Sequence, residues 1–193
     1  MAITERYVTT TGAGAHDGTS EGNAFSWAEM VSDLNAGGRA GYRYNVKQGT
    51  YSRAGTLDTL TGDGSTTAPI IIRGYKTTIG DATLGRLTTG ALDTSNMPTV
   101  TYNSSGLFYP TGSTHLVVES VILISANPYY AFASNTNAVI HNCSISCTSA
   151  NVAASCIEVA GTETSIINCD LTNSGTTGSY AVEVKAVYCV IHG

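Results

Sequence analysis

Two glutamates are the residues of this chain whose spacing could do acid–base or metal chemistry. Glu158 and Glu183 hold the same position in two strand-like segments, residues 156–159 and 181–184, which recur 25 residues apart. If these segments stack as neighbouring parallel strands, the two carboxylates lie about 5 Å apart. Such a pair could hold a metal ion or act as acid and base. It could equally form two solvated rungs of a sheet, which is the role we expect.

Few of the other groups that catalysis would use lie near this pair. Asp170 belongs to a different series of strands, and Lys185 is the only base nearby. Four further aspartates lie in segments rich in Thr, Gly and Ser, match no calcium-loop spacing and are predicted to form turns: Asp58, Asp63, Asp81 and Asp93. We therefore predict no catalytic residue beyond the candidates Glu158 and Glu183, no metal site and no cofactor.

Tyrosines offer a second kind of site, because an aromatic ring can stack on a sugar. The candidates for such a binding platform are Tyr102, Tyr109, Tyr129 and Tyr130. Side chains alternate between the two faces of a strand, so about half of these rings should point inward. Packing in the core or in turns is the alternative role for them.

The C-terminal third of the chain contains two series of short apolar segments. The first series has Val121, Cys143, Cys169 and Cys189 at its second position, at spacings of 22, 26 and 20 residues. The second series, residues 131–134, 156–159 and 181–184, recurs at 25 and 25 residues. Segments of four or five residues bounded by Asn, Ser, Thr or Gly are typical of strands between turns. Two such strands per repeat indicate a solenoid.

Stacking explains how strands this short can bury a face, since each one covers the next. We predict an all-β fold, a right-handed parallel β-helix, with Asn142 and Asn168 at a turn where asparagine tolerates left-handed geometry and can bond along the stack. An antiparallel β-sandwich is the alternative. The repeat region lacks the Asn-Gly or Asp-Gly turns that its hairpins would favour.

The five cysteines are predicted to be reduced and to serve as small core hydrophobes. Cys143, Cys169 and Cys189 should form one internal ladder with Val121. A zinc site beginning at Cys143 and Cys147 is conceivable, but no matching second pair follows. Reduced cysteines indicate folding in a reducing cytoplasm.

Charge and hydropathy exclude several classes of partner. The formal net charge is −5, only 12% of residues are charged, and no Lys or Arg lies between Arg86 and Lys185. Nucleic acid and anionic membrane surfaces both require basic side chains, so we expect neither as a partner. No apolar run approaches the about 20 residues that span a bilayer. The first residues lack a basic region followed by an apolar stretch, and we predict no signal peptide.

The N-terminal region predicts a single helix. Ser26 and Glu29 form a capping box, and apolar residues at helical spacing follow from Trp27 until glycines stop the helix after Leu34. A strand ending at Val46 and the turn sequence Gly-Thr-Tyr at residues 49–51 come next.

This order of strand, loop, capped helix, strand and Gly-Thr-Tyr turn resembles the N-terminal cap and first coil of the pectin-lyase-like β-helix superfamily. The resemblance covers residues 6–51 closely and 98–193 by repeat pattern. It implies one β-helix domain over residues 1–193, with the cap and first coil in 1–51, further coils in 52–193 and a loop excursion near 76–97. The superfamily includes polysaccharide lyases, glycoside hydrolases, and phage spikes and fibres, so fold alone does not assign function.

Two functions of different classes follow from these observations. The first is a structural protein of an assembled particle: a phage virion component, tail-associated or capsid-decorating, made in the host cytoplasm and able to contact host-surface glycan. The second is a carbohydrate-active enzyme or sugar-binding module, which rests on the resemblance only. The repeat continues to residue 193 in mid-coil. We therefore expect an open C-terminal coil that contacts another copy, in a homotrimer, or another particle subunit.

Overall fold

The computed structural model describes residues 3–53, 57–82, 86–103, 107–110, 115–126, 130–149, 155–174, 180–184 and 189–192. They form a 3₁₀ turn at Glu21–Asn23, the helix α1 at Trp27–Asn35 and seventeen strands. In chain order the strands are β1 (Thr4–Val8), β2 (Tyr42–Lys47), β3 (Thr50–Arg53), β4 (Leu57–Thr59), β5 (Ile70–Tyr75), β6 (Thr99–Tyr102), β7 (Leu107–Tyr109), β8 (Leu116–Glu119), β9 (Ile122–Ser125), β10 (Tyr130–Thr136), β11 (Ala138–His141), β12 (Ser144–Cys147), β13 (Ser155–Thr162), β14 (Thr164–Ile167), β15 (Asp170–Asn173), β16 (Tyr180–Val184) and β17 (Cys189–His192).

The strands lie in three parallel sheets, to which successive coils contribute one strand each. The first sheet has the order β1-β2-β5-β8-β11-β14-β17, the second β3-β6-β9-β12-β15 and the third β4-β7-β10-β13-β16. Neighbouring strands of a sheet come from successive coils, which is the topology of a parallel β-helix. The predicted fold class is confirmed, and the antiparallel sandwich is wrong because all pairs of these named strands are parallel.

Register along the axis follows the apolar pattern of the sequence. In the second sheet, Tyr51, Val100, Leu123 and Ile145 are successive partners, and all four are buried. Side chains on either side of this row are more exposed, as alternation in a strand requires. A slip of one residue would turn the row outward, so burial fixes the register.

One predicted ladder is partly wrong. Val121, Cys143 and Cys169 do lie at equivalent positions just before the second sheet. Cys189 instead pairs with Thr164 in the first sheet. The reason is that residues 190–192, Val-Ile-His, repeat residues 139–141 of β11 rather than the segment around Cys143.

The corners between the first and second sheets carry the predicted asparagine ladder. Ser120, Asn142 and Asn168 have φ of 56°, 55° and 50°, the left-handed region that asparagine tolerates best among residues with a side chain. The Asn142 amide donates to the Ser120 hydroxyl at 3.0 Å, and the Asn168 amide donates to Asn142 Oδ1 at 3.0 Å. Each corner is therefore bonded to the next along the axis.

Helix α1 begins at the predicted capping box. The Ser26 side chain accepts from the Glu29 backbone N–H, and Glu29 Oε2 accepts from the Ser26 N–H at 2.7 Å. Hydrogen bonds from His16, then from Ser26, lower the pKa of Glu29 to about 2. The helix buries Trp27, Met30 and Leu34 against the first coils. Within the described residues, no helix has the length and apolarity to cross a bilayer.

A buried carboxylate joins this helix to the coils. Asp58 lies in β4 with 1% of its surface exposed, which corrects the prediction of a turn former. It accepts hydrogen bonds from Trp27 Nε1 at 2.7 Å and from the Tyr102 hydroxyl at 2.8 Å. Arg53 adds two more, from Nη2 at 2.6 Å and Nε at 3.1 Å. Trp27 also packs on the rings of Tyr51 and Phe108, with centroids 5.7 and 6.1 Å away.

The long connection from β5 to β6, which contains the predicted excursion at 76–97, returns to the solenoid near its C-terminal end. Arg86 donates to Asn168 Oδ1 at 2.8 Å and to Asp170 Oδ1 at 2.7 Å, and the Leu92 N–H donates to Asp170 Oδ2 at 2.6 Å. The connection thus reaches from the coil of β5 to the coil of β15. We call residues 76–97 the strap.

The hydrogen bond from Trp27 to Asp58 predicts a measurable loss when only the donor is removed. Trp27→Phe keeps an aromatic ring in place and should lower the free energy of unfolding by about 1–3 kcal/mol, because a buried carboxylate loses a partner. Trp27→Ala should cost about 3–5 kcal/mol, since it also leaves a cavity. Denaturant titration followed by circular dichroism measures both. A Phe variant as stable as the unsubstituted protein would contradict the role of this bond.

The asparagine ladder predicts different costs for two substitutions at one corner. Asn142→Ala should lower the free energy of unfolding by about 2–4 kcal/mol. It leaves the Ser120 hydroxyl and the Asn168 amide without their hydrogen-bond partner, and it keeps a Cβ in the left-handed backbone. Asn142→Gly loses the same side-chain bonds but relieves the backbone, so it should cost less. Thermal and denaturant unfolding compare the two. Equal stability of the alanine variant and the unsubstituted protein would rule out an energetic role for the ladder.

Candidate functional site

The predicted carboxylate pair is adjacent in register. Glu158 of β13 and Glu183 of β16 are direct partners in the third sheet. The Glu158 side chain is half-buried, and the side chain of Glu183 lies outside the described residues, as does Lys185. Asp170 does not join them, because Arg86 and the Leu92 N–H hold its carboxylate at the strap. Among the described residues, no group of three His, Cys, Asp or Glu side chains could hold a metal ion.

The predicted tyrosine platform is not brought together as one surface. Tyr102 is buried and donates to Asp58, so its ring is out of reach of a surface ligand. Tyr109 and Tyr130 are half-buried in neighbouring strands of the third sheet, β7 and β10. Tyr130 precedes by two residues the position in β10 that faces Phe108. Tyr129 lies outside the described residues, and glycan binding by these tyrosines stays a prediction.

Two predicted turn formers have that role. Asp81 accepts from the backbone N–H groups of Lys76, Thr77 and Thr78 at 2.7, 2.8 and 3.0 Å. Although partial burial raises the pKa of Asp81, these bonds bring it well below its ordinary value. Asp93 accepts from the Ser95 N–H at 3.0 Å. Both carboxylates shape the strap.

The outer face of the first sheet carries a row of charged side chains that the sequence did not predict. Arg43 donates to Glu5 in the next strand, with Nε 3.0 Å from Oε2. Arg73 of β5 and Glu119 of β8 are register partners, and Arg73 Nε donates to Glu119 Oε1. His141 follows Glu119 in register, with Nδ1 4.0 Å from Glu119 Oε2. Each of the two ion pairs, Glu5 with Arg43 and Arg73 with Glu119, thus joins neighbouring coils.

A cavity opens where this row meets the strap. Its volume is about 180 Å³, and its lining residues are Arg73, Gly74, Gly80, Ala82, Glu119 and Ser120. Gly80 and Ala82 come from the strap, Arg73 and Gly74 from the end of β5, Glu119 from the end of β8, and Ser120 from the corner that follows β8. Arg73 and Glu119 are 46 positions apart in sequence, which is why no local motif marks the site. Extending the repeat backward from Leu116 to Ile70 would have aligned them.

Three apolar side chains of β16 and β17 are exposed in this structure. We call the described residues of β16 and β17 the C-terminal coil. Tyr180 is 60% exposed, Val190 47% and Ile191 56%. Ile191 continues the row of Ile140 and Ile166, which are buried in the two preceding coils. β15, β16 and β17 are the outermost strands of their three sheets. This face therefore has the composition of a core layer and the exposure of a surface.

The comparisons with known proteins support the fold and leave the chemistry open. No protein family and no curated protein sequence matches this chain. Among solved structures, the chain is similar to pectate lyase Pel9A, with a TM-score of 0.52 and 15% sequence identity. The match covers 88% of this chain and 48% of that protein, so the chain spans about half the length of the lyase. Likeness at this identity concerns the backbone, and the predicted resemblance is confirmed at that level: the chain has the right-handed parallel β-helix fold of the pectin-lyase-like proteins.

Proposed function

We propose that this protein is a structural β-helix subunit of an assembled particle, and that residues 1–193 act as one β-helix domain. The observation that carries the proposal is the exposure of core-type side chains on the C-terminal coil. Ile191 is 56% exposed, although its register partner Ile166 is buried. Exposed apolar faces of this kind are typical of surfaces that another chain covers.

Strand edges add to this support. The outermost strands β15, β16 and β17 offer backbone N–H and C=O groups in the direction of the axis, and such edges pair readily with another chain. At the other end, α1 lies against the first coils with Trp27 buried. Repeat proteins need a cover at each end of the stack. In this proposal, the helix covers the end at β1, and a partner subunit contacts β15, β16 and β17.

The particle that we propose is a phage virion, with this chain as a tail-associated or capsid-decorating component made in the host cytoplasm. Four of the described cysteines are thiols rather than disulfides, and three of them are buried, which suits folding under reducing conditions: Cys143, Cys147, Cys156 and Cys169. The proposed assembly is a homotrimer through the C-terminal coil, with another particle subunit as the second partner. Contact with host glycan through Tyr109 and Tyr130 belongs to the same proposal.

The enzymatic alternative has less support. A lyase or hydrolase of this fold would need acidic groups converging at one outward site. Asp170 is engaged by Arg86, and Asp58 is buried among three donors. The likeness to pectate lyase Pel9A concerns the fold alone at 15% identity. We therefore do not propose catalysis by Glu158 and Glu183.

Sedimentation velocity of the purified chain tests the proposal. We expect an oligomer, and a trimer in particular, that Ile191→Asp converts to monomer, because a charge in an apolar contact is not compensated. Ile3→Asp is the matched control, since Ile3 is 49% exposed beside β1 at the opposite edge of the first sheet. Circular dichroism shows whether each variant is folded.

A monomeric unsubstituted chain would contradict the proposed assembly through like copies, and equal dissociation by both variants would contradict the proposed surface. The virion assignment has its own test, which is mass spectrometry of purified particles. We expect the chain in the particle fraction. Its recovery only as free protein would overturn the particle role.

A further inference from the structure

We propose that the cavity between the first sheet and the strap is a binding site for a neutral, hydroxyl-rich ligand with the bulk of one monosaccharide ring. Arg73 and Glu119 would recognise it by hydrogen bonds. The site lies at the corner between the first and second sheets, apart from the C-terminal coil. Its occupancy does not depend on the proposed particle role.

The first argument is the presence of a donor and an acceptor side by side on the wall. Arg73 uses Nε for Glu119, and its terminal nitrogens have no hydrogen-bond partner among the described residues. Glu119 Oε1 accepts from Arg73, whereas Oε2 has only His141 Nδ1 at 4.0 Å, too far for a hydrogen bond. The guanidinium can therefore donate to one ligand hydroxyl while the carboxylate accepts from its neighbour.

The charge of the lining selects against other ligands. A metal ion would need several oxygen ligands, and Glu119 is the only carboxylate among the described residues that line the cavity. An inorganic anion would meet an Arg73 charge that Glu119 already neutralises. An apolar molecule would displace water from Arg73 and Glu119 and could not replace the hydrogen bonds that the water makes. Vicinal hydroxyls satisfy a donor and an acceptor together without adding charge.

The backbone of the cavity is fixed where the ligand would sit. A Cβ on Gly74 would lie 1.9 Å from the Ser120 carbonyl oxygen and 2.4 Å from Pro98 Cδ, so only glycine permits this close approach of two coils. Ser120 has φ of 56° and is buried, and its hydroxyl accepts from Asn142. The asparagine ladder thereby holds the corner residue that lines the cavity.

The strap supplies an opposing wall of small residues. Gly80 has φ of 92°, and a side chain there would meet nothing within 4 Å, so the wall is open at this point. Ala82 is buried and lines the cavity with a single methyl group. The backbone bonds of Asp81 to residues 76–78 fix the segment between them. A ring can enter beside Gly80 and rest against Ala82.

Saturation-transfer NMR with the full chain and a panel of neutral methyl hexopyranosides tests the site. We expect transfer to at least one hexoside. Glu119→Gln and Arg73→Met should each weaken binding about tenfold or more, because each removes a hydrogen bond to a charged group. Glu158→Gln, on the third sheet, is the matched control for Glu119→Gln and should bind as the unsubstituted protein does.

A second variant keeps the test independent of the ion pair. Ala82→Leu fills the cavity while Arg73 and Glu119 remain, and it should abolish transfer in a chain that circular dichroism shows to be folded. Absence of transfer from the whole panel, or unchanged binding in Ala82→Leu, would overturn the proposal. So would competition by inorganic phosphate or a uronic acid at equal concentration, because the ligand would then be an anion.

The same chemistry can come from a free sugar or from the terminal residue of a surface glycan. Titration with a trisaccharide that ends in the bound hexose separates the two sources. Equal affinity for the trisaccharide and the methyl hexoside assigns the site to glycan ends. Loss of affinity for the trisaccharide assigns it to a free monosaccharide, and either result supports a neutral polyhydroxylated ligand. These binding measurements do not depend on the sedimentation test of the proposed assembly, so either proposal can fail without the other.

Discussion

The buried charge of Asp58 is the interaction on which the N-terminal half of this solenoid depends. An ionised carboxylate inside a protein is costly unless donors surround it. Here the donors come from three separate elements, namely Trp27 in α1, Arg53 in β3 and Tyr102 in β6. The helix, the first coil and the second coil must therefore be in place together. Burial, and after it the charge of Asp58, raises the pKa of Tyr102 well above its ordinary value. The Tyr102 hydroxyl therefore stays protonated and donates to Asp58.

A second constraint acts at the corners of the coils. Parallel strands of four residues contribute few backbone bonds each, and their direction is set by the turn that precedes them. Ser120, Asn142 and Asn168 supply that turn in three successive coils and bond to one another through their side chains. Arg86 of the strap then donates to Asn168. The same corner therefore organises the sheets, the strap and the cavity proposed to bind a sugar.

The sequence predicted those features that repeat at a short period or depend on neighbours in the chain. The capping box of Ser26 and Glu29 is local, and the corner asparagines recur with the apolar strands around them. Cys189 was misplaced because a four-residue apolar strand fits more than one sheet, and only its Val-Ile-His continuation distinguishes them.

Short-period sequence patterns do not predict side-chain contacts between coils of unequal length. Asp58 meets Tyr102 across 44 positions, and Arg73 meets Glu119 across 46. In both cases the strap lies between the two residues in the sequence. Because the strap has little periodicity, the sequence does not indicate how the coils before and after it are aligned. The contacts of Asp58 and the cavity beside Arg73 therefore depend on the parallel pairing of the coils. From the sequence, Asp58 is interpreted alone as a turn former and Tyr102 as a candidate for the binding platform, because the partner of each belongs to another coil.

The strap has a mechanical consequence for the solenoid. In a stack of coils each layer normally touches only its neighbours, so unfolding can start at an end and proceed one layer at a time. Arg86 and Leu92 instead tie the coil of β5 to Asp170, three layers or about 14 Å further along the axis. Layers between the two anchors cannot separate while this tie holds. Fraying that begins near β15 must first break the tie, and force applied along the axis is shared by all the layers it spans.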